Sequence, residues 1–155
     1  MVRTMVVYES KWGTGAELVA KSIAEGIKES SEMDVVPVDV KGLESNQIAS
    51  FDSVLVGVTD GCFGPTGATK KFIAVIGKIG TKGQPTAVFD AYMKKEYGTL
   101  RKTEKRIAEK APGLRLVTPG LSIRVDGLKG PIAEEEVLRC KEFGRKFAAR
   151  IKALT

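Results

Sequence analysis

Apolar residues fall along this chain in short uniform runs that alternate with stretches of helical period. Residues 4–8 (Thr-Met-Val-Val-Tyr) are apolar and β-branched, bounded by Glu9-Ser10 and then by glycines, which predicts a strand buried on both faces. From 15 to 28, Ala16, Val19, Ala20, Ile23, Ala24 and Ile27 recur at spacings of three and four, while Glu17, Lys21, Glu25 and Lys28 fall mostly outside that stripe. An amphipathic helix follows. Residues 33–38 predict a second strand; Pro37, which cannot donate to a ladder, and the weak alternation put it at a sheet edge. Residues 43–48 read as a short turn or helix.

Residues 53–59 (Ser-Val-Leu-Val-Gly-Val-Thr) are the most uniformly apolar and predict a central parallel strand, ending in the glycine-rich stretch Asp60-Gly61-Cys62-Phe63-Gly64-Pro65-Thr66-Gly67. Phe72, Ile73, Val75, Ile76 and Ile79 line the next helix, Gly80-Thr81-Lys82-Gly83 ends it, and residues 86–89 give a short fourth strand. A loop over 90–98 leads to a basic helix over 99–110 built on Leu100, Thr103 and Ile107, which Pro112-Gly113 stops. A fifth strand over 114–117 and 121–125 is interrupted at Thr118-Pro119-Gly120, the pattern of a broken edge strand. In the last helix Gly130-Pro131 stand at the opening and Glu134, Glu135 and Glu136 in the first turns. Val137, Cys140, Phe143, Phe147 and Ile151 form its buried stripe. Cys140 reads as a small core residue.

Five βα units without internal repeat or low-complexity linker predict a single α/β domain over 1–155: three layers, a doubly wound five-stranded parallel sheet with helices on both faces. In such folds ligands bind beyond the carboxyl ends of the strands, so the loops after strands 1, 3 and 4 form the candidate site.

Composition narrows the chemistry. The 155 residues contain no histidine and two cysteines, which removes Ser-His-Asp and Cys-His nucleophile systems and a four-cysteine metal site. No catalytic or metal-ligating set is expected. Cys62 and Cys140, far apart in sequence, are expected to be free thiols in a reducing, cytoplasmic setting, and neither a signal sequence nor a membrane span is apparent. Residues 1–80 carry 8 basic and 10 acidic side chains and residues 81–155 carry 17 and 9, so the net charge of +6 lies in the second half. That asymmetry suits an acidic protein partner. Nothing in the sequence resembles a helix-turn-helix, a zinc knuckle or an aromatic-studded RNA-binding strand, and no nucleic-acid partner is expected.

The loop Ser10-Lys11-Trp12-Gly13-Thr14-Gly15-Ala16 joins a buried strand to a helix N-terminus with hydroxyls and glycines, a composition suited to an anion. It is neither a Walker A loop nor Gly-x-Gly-x-x-Gly, which disfavours a nucleoside triphosphate.

Tyr8-Glu9-Ser10 followed by Lys11-Trp12-Gly13-Thr14-Gly15-Ala16-Glu17-Leu18-Val19-Ala20 resembles the phosphate loop of the flavodoxin family, T/S-x-T-G-N-T followed by E-x-x-A. It is most similar to the variant in the flavodoxin domains of A-type flavoproteins, where a Tyr-Asp-Thr-Met-Trp-like run holds the matching place. The similarity extends through the loop 59–67, Phe89-Asp90-Ala91-Tyr92 and the last helix. The resemblance implies a flavodoxin-like sheet of strand order 2-1-3-4-5 and FMN as cofactor. Ser10, Lys11, Trp12, Gly13, Thr14, Gly15 and Ala16 would surround the phosphate. The isoalloxazine would lie between Thr59, Asp60, Gly61, Cys62, Phe63 and Gly64 on one side and Asp90, Ala91, Tyr92 and Met93 on the other. Phe63 or Cys62 would face the ring. This sequence departs from the pattern in having Gly15-Ala16 where Asn-Thr is usual, one extra residue before Glu17, and Met93-Lys94-Lys95 in a stretch where the family has glycines.

The expected function is FMN-dependent electron transfer to a redox partner with an acidic surface, Lys94 and Lys95 raising the flavin potential relative to acidic flavodoxins. The alternatives are a flavodoxin-fold interaction module without flavin that docks acidic partners through its basic C-terminal half, and a flavin-dependent NAD(P)H oxidoreductase. Oligomeric state is open.

Overall fold

A computed structural model describes residues 2–9, 15–43, 51–59, 66–92, 96–125 and 132–154. Strands β1 (Arg3–Tyr8), β2 (Asp34–Asp39), β3 (Ser53–Thr59) and β4 (Pro85–Tyr92) alternate with helices α1 (Gly15–Ser30) and α2 (Gly67–Ile79). Helix α3 (Gly98–Lys110), strands β5 (Arg115–Leu116) and β6 (Leu121–Arg124), and helix α4 (Glu134–Leu154) complete the order. The strands form one sheet in the order β2-β1-β3-β4-β5, with β6 also on β4 and every pairing parallel. The expected order is therefore observed, and β2, with Pro37, lies at an edge. A 3-10 turn stands at Val40–Gly42, just before the turn or helix expected over 43–48, of which residues 44–48 lie outside the described residues.

The apolar runs explain the layering. Successive strand residues point to opposite faces, so an unbroken apolar strand supplies two cores at once. Val6, Tyr8, Leu55, Ala87, Phe89 and Ala91 meet α1 and α4, among Val19, Ile23, Ile27, Cys140, Phe147 and Ile151. Met5, Val7, Val54, Val56 and Val88 meet α2 and α3 on the other face, among Phe72, Ile73, Ile76, Leu100 and Ile107. Each fully buried Val, Leu, Ile or Phe contributes about 1.5–3 kcal/mol over its exposed state. Cys140 is part of this packing, as expected, and burial pushes its thiol up to about 12.

The fifth strand is broken as its sequence suggests. β5 pairs with Pro85 and Thr86, the Val117 N-H still donates to the Thr86 carbonyl at 2.7 Å, and β6 pairs with Phe89 to Tyr92, so residues 118–120 leave the ladder and the chain returns to it on the same edge. Gly120 makes the return possible, since a Cβ there would sit 1.9 Å from the Val88 carbonyl oxygen. Its N-H donates to Glu104 Oε2 at 3.0 Å, tying the break to α3.

Helices α1 and α4 touch backbone to backbone. A Cβ on Gly26 would lie 2.2 Å from the Lys141 carbonyl oxygen, and one on Gly144 2.3 Å from that of Ile23. No described helix is long and apolar enough to cross a membrane.

Candidate functional site

Because every strand runs the same way, the carboxyl ends of β1, β3 and β4 open on one edge. Helices α1, α2 and α3, which follow β1, β3 and β4, start there. The Gly15-Ala16 turn that opens α1 is buried, and an added Cβ on Gly15 would meet Ala91 Cβ and Val125 Cγ1 at 3.5 Å. The start of α1 thus packs directly on the ends of β4 and β6. The first N-H groups of a helix have no partner within it, and the helix dipole makes this end positive.

The second helix start is tied to the first strand by a carboxylate. Glu9, which follows β1, is only 6% exposed. It accepts hydrogen bonds from the hydroxyls of Thr66, the N-cap of α2, and Thr69, the latter at 3.4 Å. Thr66 Oγ1 accepts in turn from the Thr69 N-H at 3.4 Å. Two hydroxyl donors satisfy this buried side chain beside the start of α2. The clasp joins the ends of the two chain segments that run through 10–14 and 60–65.

A second polar chain closes the far side. Asp90, fully buried near the end of β4, accepts from Ser122 Oγ on β6 at 2.6 Å, and Ser122 Oγ accepts from the Tyr97 N-H at 3.1 Å. Tyr97 holds a left-handed backbone, φ 61°, immediately before α3. That conformation costs a non-glycine residue about 1–2 kcal/mol, which the Ser122 bond helps to offset. Arg101, one turn into α3, lies 5.4 Å over the Tyr97 ring. The polar pair therefore fixes both ends of the segment running from β4 to α3.

Two phenols stand at the strand ends. Burial raises the pKa of Tyr8, and the neighbouring charges of Glu17 and Asp39 add to the effect. Burial likewise raises Tyr92, reinforced by Glu96 and Glu136. Both remain hydrogen-bond donors at neutral pH.

Of the residues expected at the site, Gly15, Ala16, Thr59, Asp90, Ala91 and Tyr92 are described, and all stand at this edge; Thr59 is paired in register with Ala91. Ser10, Lys11, Trp12, Gly13, Thr14, Asp60, Gly61, Cys62, Phe63, Gly64 and Met93 lie outside the described residues, as do Lys94 and Lys95. Sequence reasoning missed Glu9, Thr66, Thr69, Ser122 and Tyr97. The Thr-x-x-Thr spacing at the start of α2 is a capping signal, but the Glu9 partnership spans 57 residues and has no local signature. Among the described residues no cluster of acidic residues and cysteines could hold a metal ion.

The fold has clear counterparts among solved structures. An archaeal flavodoxin superposes with a TM-score of 0.81 at 19% identity, over 97% of this chain and 99% of that one. The fold is flavodoxin-like. Flavodoxin 1 from Bacillus cereus gives a TM-score of 0.73 at 22% identity over 96% and 98% of the two chains. The Flv1 flavodiiron core from Synechocystis sp. PCC6803 gives 0.82 at 15% identity, covering 99% of this chain but 37% of its own. The flavodoxin-like fold thus spans the whole of two of these counterparts and about a third of the third. No family model and no curated protein sequence matches this chain.

Proposed function

We propose that this chain is an FMN-binding, flavodoxin-like electron-transfer protein. The observation that carries the reading is the junction of Gly15-Ala16 with Ala91 and Val125, which sets a positive helix end directly beside the ends of β4 and β6. The donors there suit the cofactor: the first-turn N-H groups of α1 and its helix dipole for a phosphate, buried small residues that let the backbone approach it, and half-buried Thr59 and Tyr92 beside them. Ser10 to Ala16 would hold the phosphate. Thr59 to Gly64 and Asp90 to Met93 would flank the isoalloxazine.

Bound FMN would supply the one- and two-electron redox chemistry. The protein's part is orientation and electrostatics. The Glu9 clasp ties the end of β1 to the start of α2, and the Asp90-Ser122-Tyr97 chain ties β4 and β6 to the start of α3. Uncharged Tyr8 and Tyr92 add no negative charge at the mouth.

The partner would be an acidic redox protein meeting α3, where Arg101, Lys102 and Lys105 are exposed and form no ion pair among the described residues. The same helix supports the second reading, an interaction module without flavin. Titration of the purified protein with FMN, followed by visible absorption and quenching of flavin fluorescence, separates the two. Saturable one-to-one binding supports electron transfer, and its absence leaves the docking module.

A further inference from the structure

Halfway down the far edge of the sheet, away from the strand ends, the break in the fifth strand and α4 enclose a groove of 370 Å3. Phe143 and Phe147 form its floor, their rings stacked at 6.5 Å and 17°. Val117 and Pro119 form the facing lip, and Lys146 and Arg150, one helical turn apart, stand on the rim. Among the described residues no carboxylate lines the groove.

Three features distinguish it from a solvated helix face. Phe143 remains half-exposed although Phe147, on the same stripe, is buried. The lip is preformed: β5 and β6 fix its ends, Gly120 sits against the Val88 backbone, and Glu104 holds the Gly120 N-H. The cations are available, because the Lys146 side chain is 76% exposed with only a 4.0 Å contact to Glu142, and Arg150 has no ion pair among the described residues. The neighbouring cations Lys141 and Arg145, by contrast, are turned to carboxylates of α1.

We propose that this groove is a second ligand site, for a small organic anion with a flat apolar body. An aromatic ring would lie between the Phe143-Phe147 floor and the Pro119 lip, and its carboxylate or sulfonate would bridge Lys146 and Arg150. Charge complementarity selects an anion, and the volume falls in the range of small-molecule sites. The proposal does not depend on the flavin reading, since the groove shares no residue with the strand-end site.

The probe is 2-naphthoate, titrated by its own fluorescence and by calorimetry against the full chain without FMN, and the charge-reversal variant separates the groove from the strand ends. Saturable binding is expected, with the neutral analogue 2-naphthalenemethanol binding at least about tenfold more weakly. Lys146→Glu/Arg150→Glu is expected to weaken naphthoate by roughly tenfold or more while leaving the thermal midpoint and the response to FMN unchanged, because both side chains are exposed. Arg150→Gln should give an intermediate loss. Unchanged naphthoate affinity in the double variant overturns the proposal, as does equal affinity for the neutral analogue. It is equally overturned if naphthoate fails to bind at about 1 mM while a Glu-rich peptide does, which would make the groove a protein-docking surface.

Discussion

The two faces of the sheet use charge differently. On the α1/α4 face, Lys141 reaches Glu25 and Glu29 at 3.6 and 3.3 Å, and Arg145 reaches Glu29 at 3.0 Å. The bond to Arg145, followed by that to Lys141, lowers the Glu29 pKa. On the α2/α3 face, Arg101 lies over Tyr97 while Lys102 and Lys105 project to solvent without an ion pair among the described residues. Exposed pairs are worth only about 0–1 kcal/mol each, so the ion pairs of the first face are a minor term beside its glycine contact and apolar stripe. Helices approach closely through glycine on both faces, at Gly26 and Gly144 on the first and at Gly77 against Lys110 on the second, so the faces differ in how their cations are used. The second face carries its cations beside the mouth of the candidate site, where a partner can meet them.

The comparison is broken most severely at the glycines. Gly26→Ala or Gly144→Ala forces a Cβ into a carbonyl oxygen 2.2 or 2.3 Å away, so the helices must separate. A loss of roughly 3 kcal/mol is expected in denaturant unfolding, near the top of the range for overpacking. Gly67→Ala is the control: a Cβ there meets nothing within 4 Å and should be neutral or slightly stabilising.

A smaller loss is expected at the clasp. Thr66→Val removes both the α2 cap and a donor to Glu9, costing about 1–2 kcal/mol of stability. If the clasp spaces the cofactor loops, FMN affinity falls as well under conditions where the variant is fully folded. Wild-type affinity in the folded variant would limit Glu9 to a structural role.

Charge reversal on the second face separates docking from stability. Lys102→Glu/Lys105→Glu should change unfolding free energy by less than about 0.5 kcal/mol. It should also reduce association with poly-L-glutamate and the salt dependence of that association. Lys141→Glu should leave that association largely intact, since Lys141 is already paired.

The smallest effect is a pH dependence. Burial raises the Glu104 pKa above its ordinary value of 4.5, the Gly120 N-H and Arg101 opposing the shift only in part. A carboxyl raised in the folded state stabilises the protein below the unfolded value and loses that contribution as pH rises through the folded one. Glu104→Gln, which keeps the acceptor for Gly120, should therefore gain on the wild type as pH rises above the ordinary glutamate value. A difference that is constant with pH would exclude the titration.

Much of this was legible in the sequence because it depends on local pattern. The unbroken run at 53–59 had to be buried on both faces, Pro37 belonged at an edge, and Thr118-Pro119-Gly120 interrupted the fifth strand. The candidate site was legible as loop positions, and Gly15, Ala16, Thr59, Asp90, Ala91 and Tyr92 do gather at one edge of the sheet. What supports those loops was not legible. Glu9 finds Thr66, and Asp90 finds Ser122, only because the sheet order brings distant strands and helix starts together. Likewise the Lys146/Arg150 groove depends on α4 facing a break 26 or more residues earlier in the chain, which helical periodicity cannot express.

The central claim is that the strand-end edge holds FMN, and the most direct test is equilibrium titration of the purified full chain with FMN, read by quenching of flavin fluorescence. The expected result is saturable one-to-one binding, with the thermal midpoint rising as FMN is added. No saturable binding of FMN at about 100 μM would contradict the account.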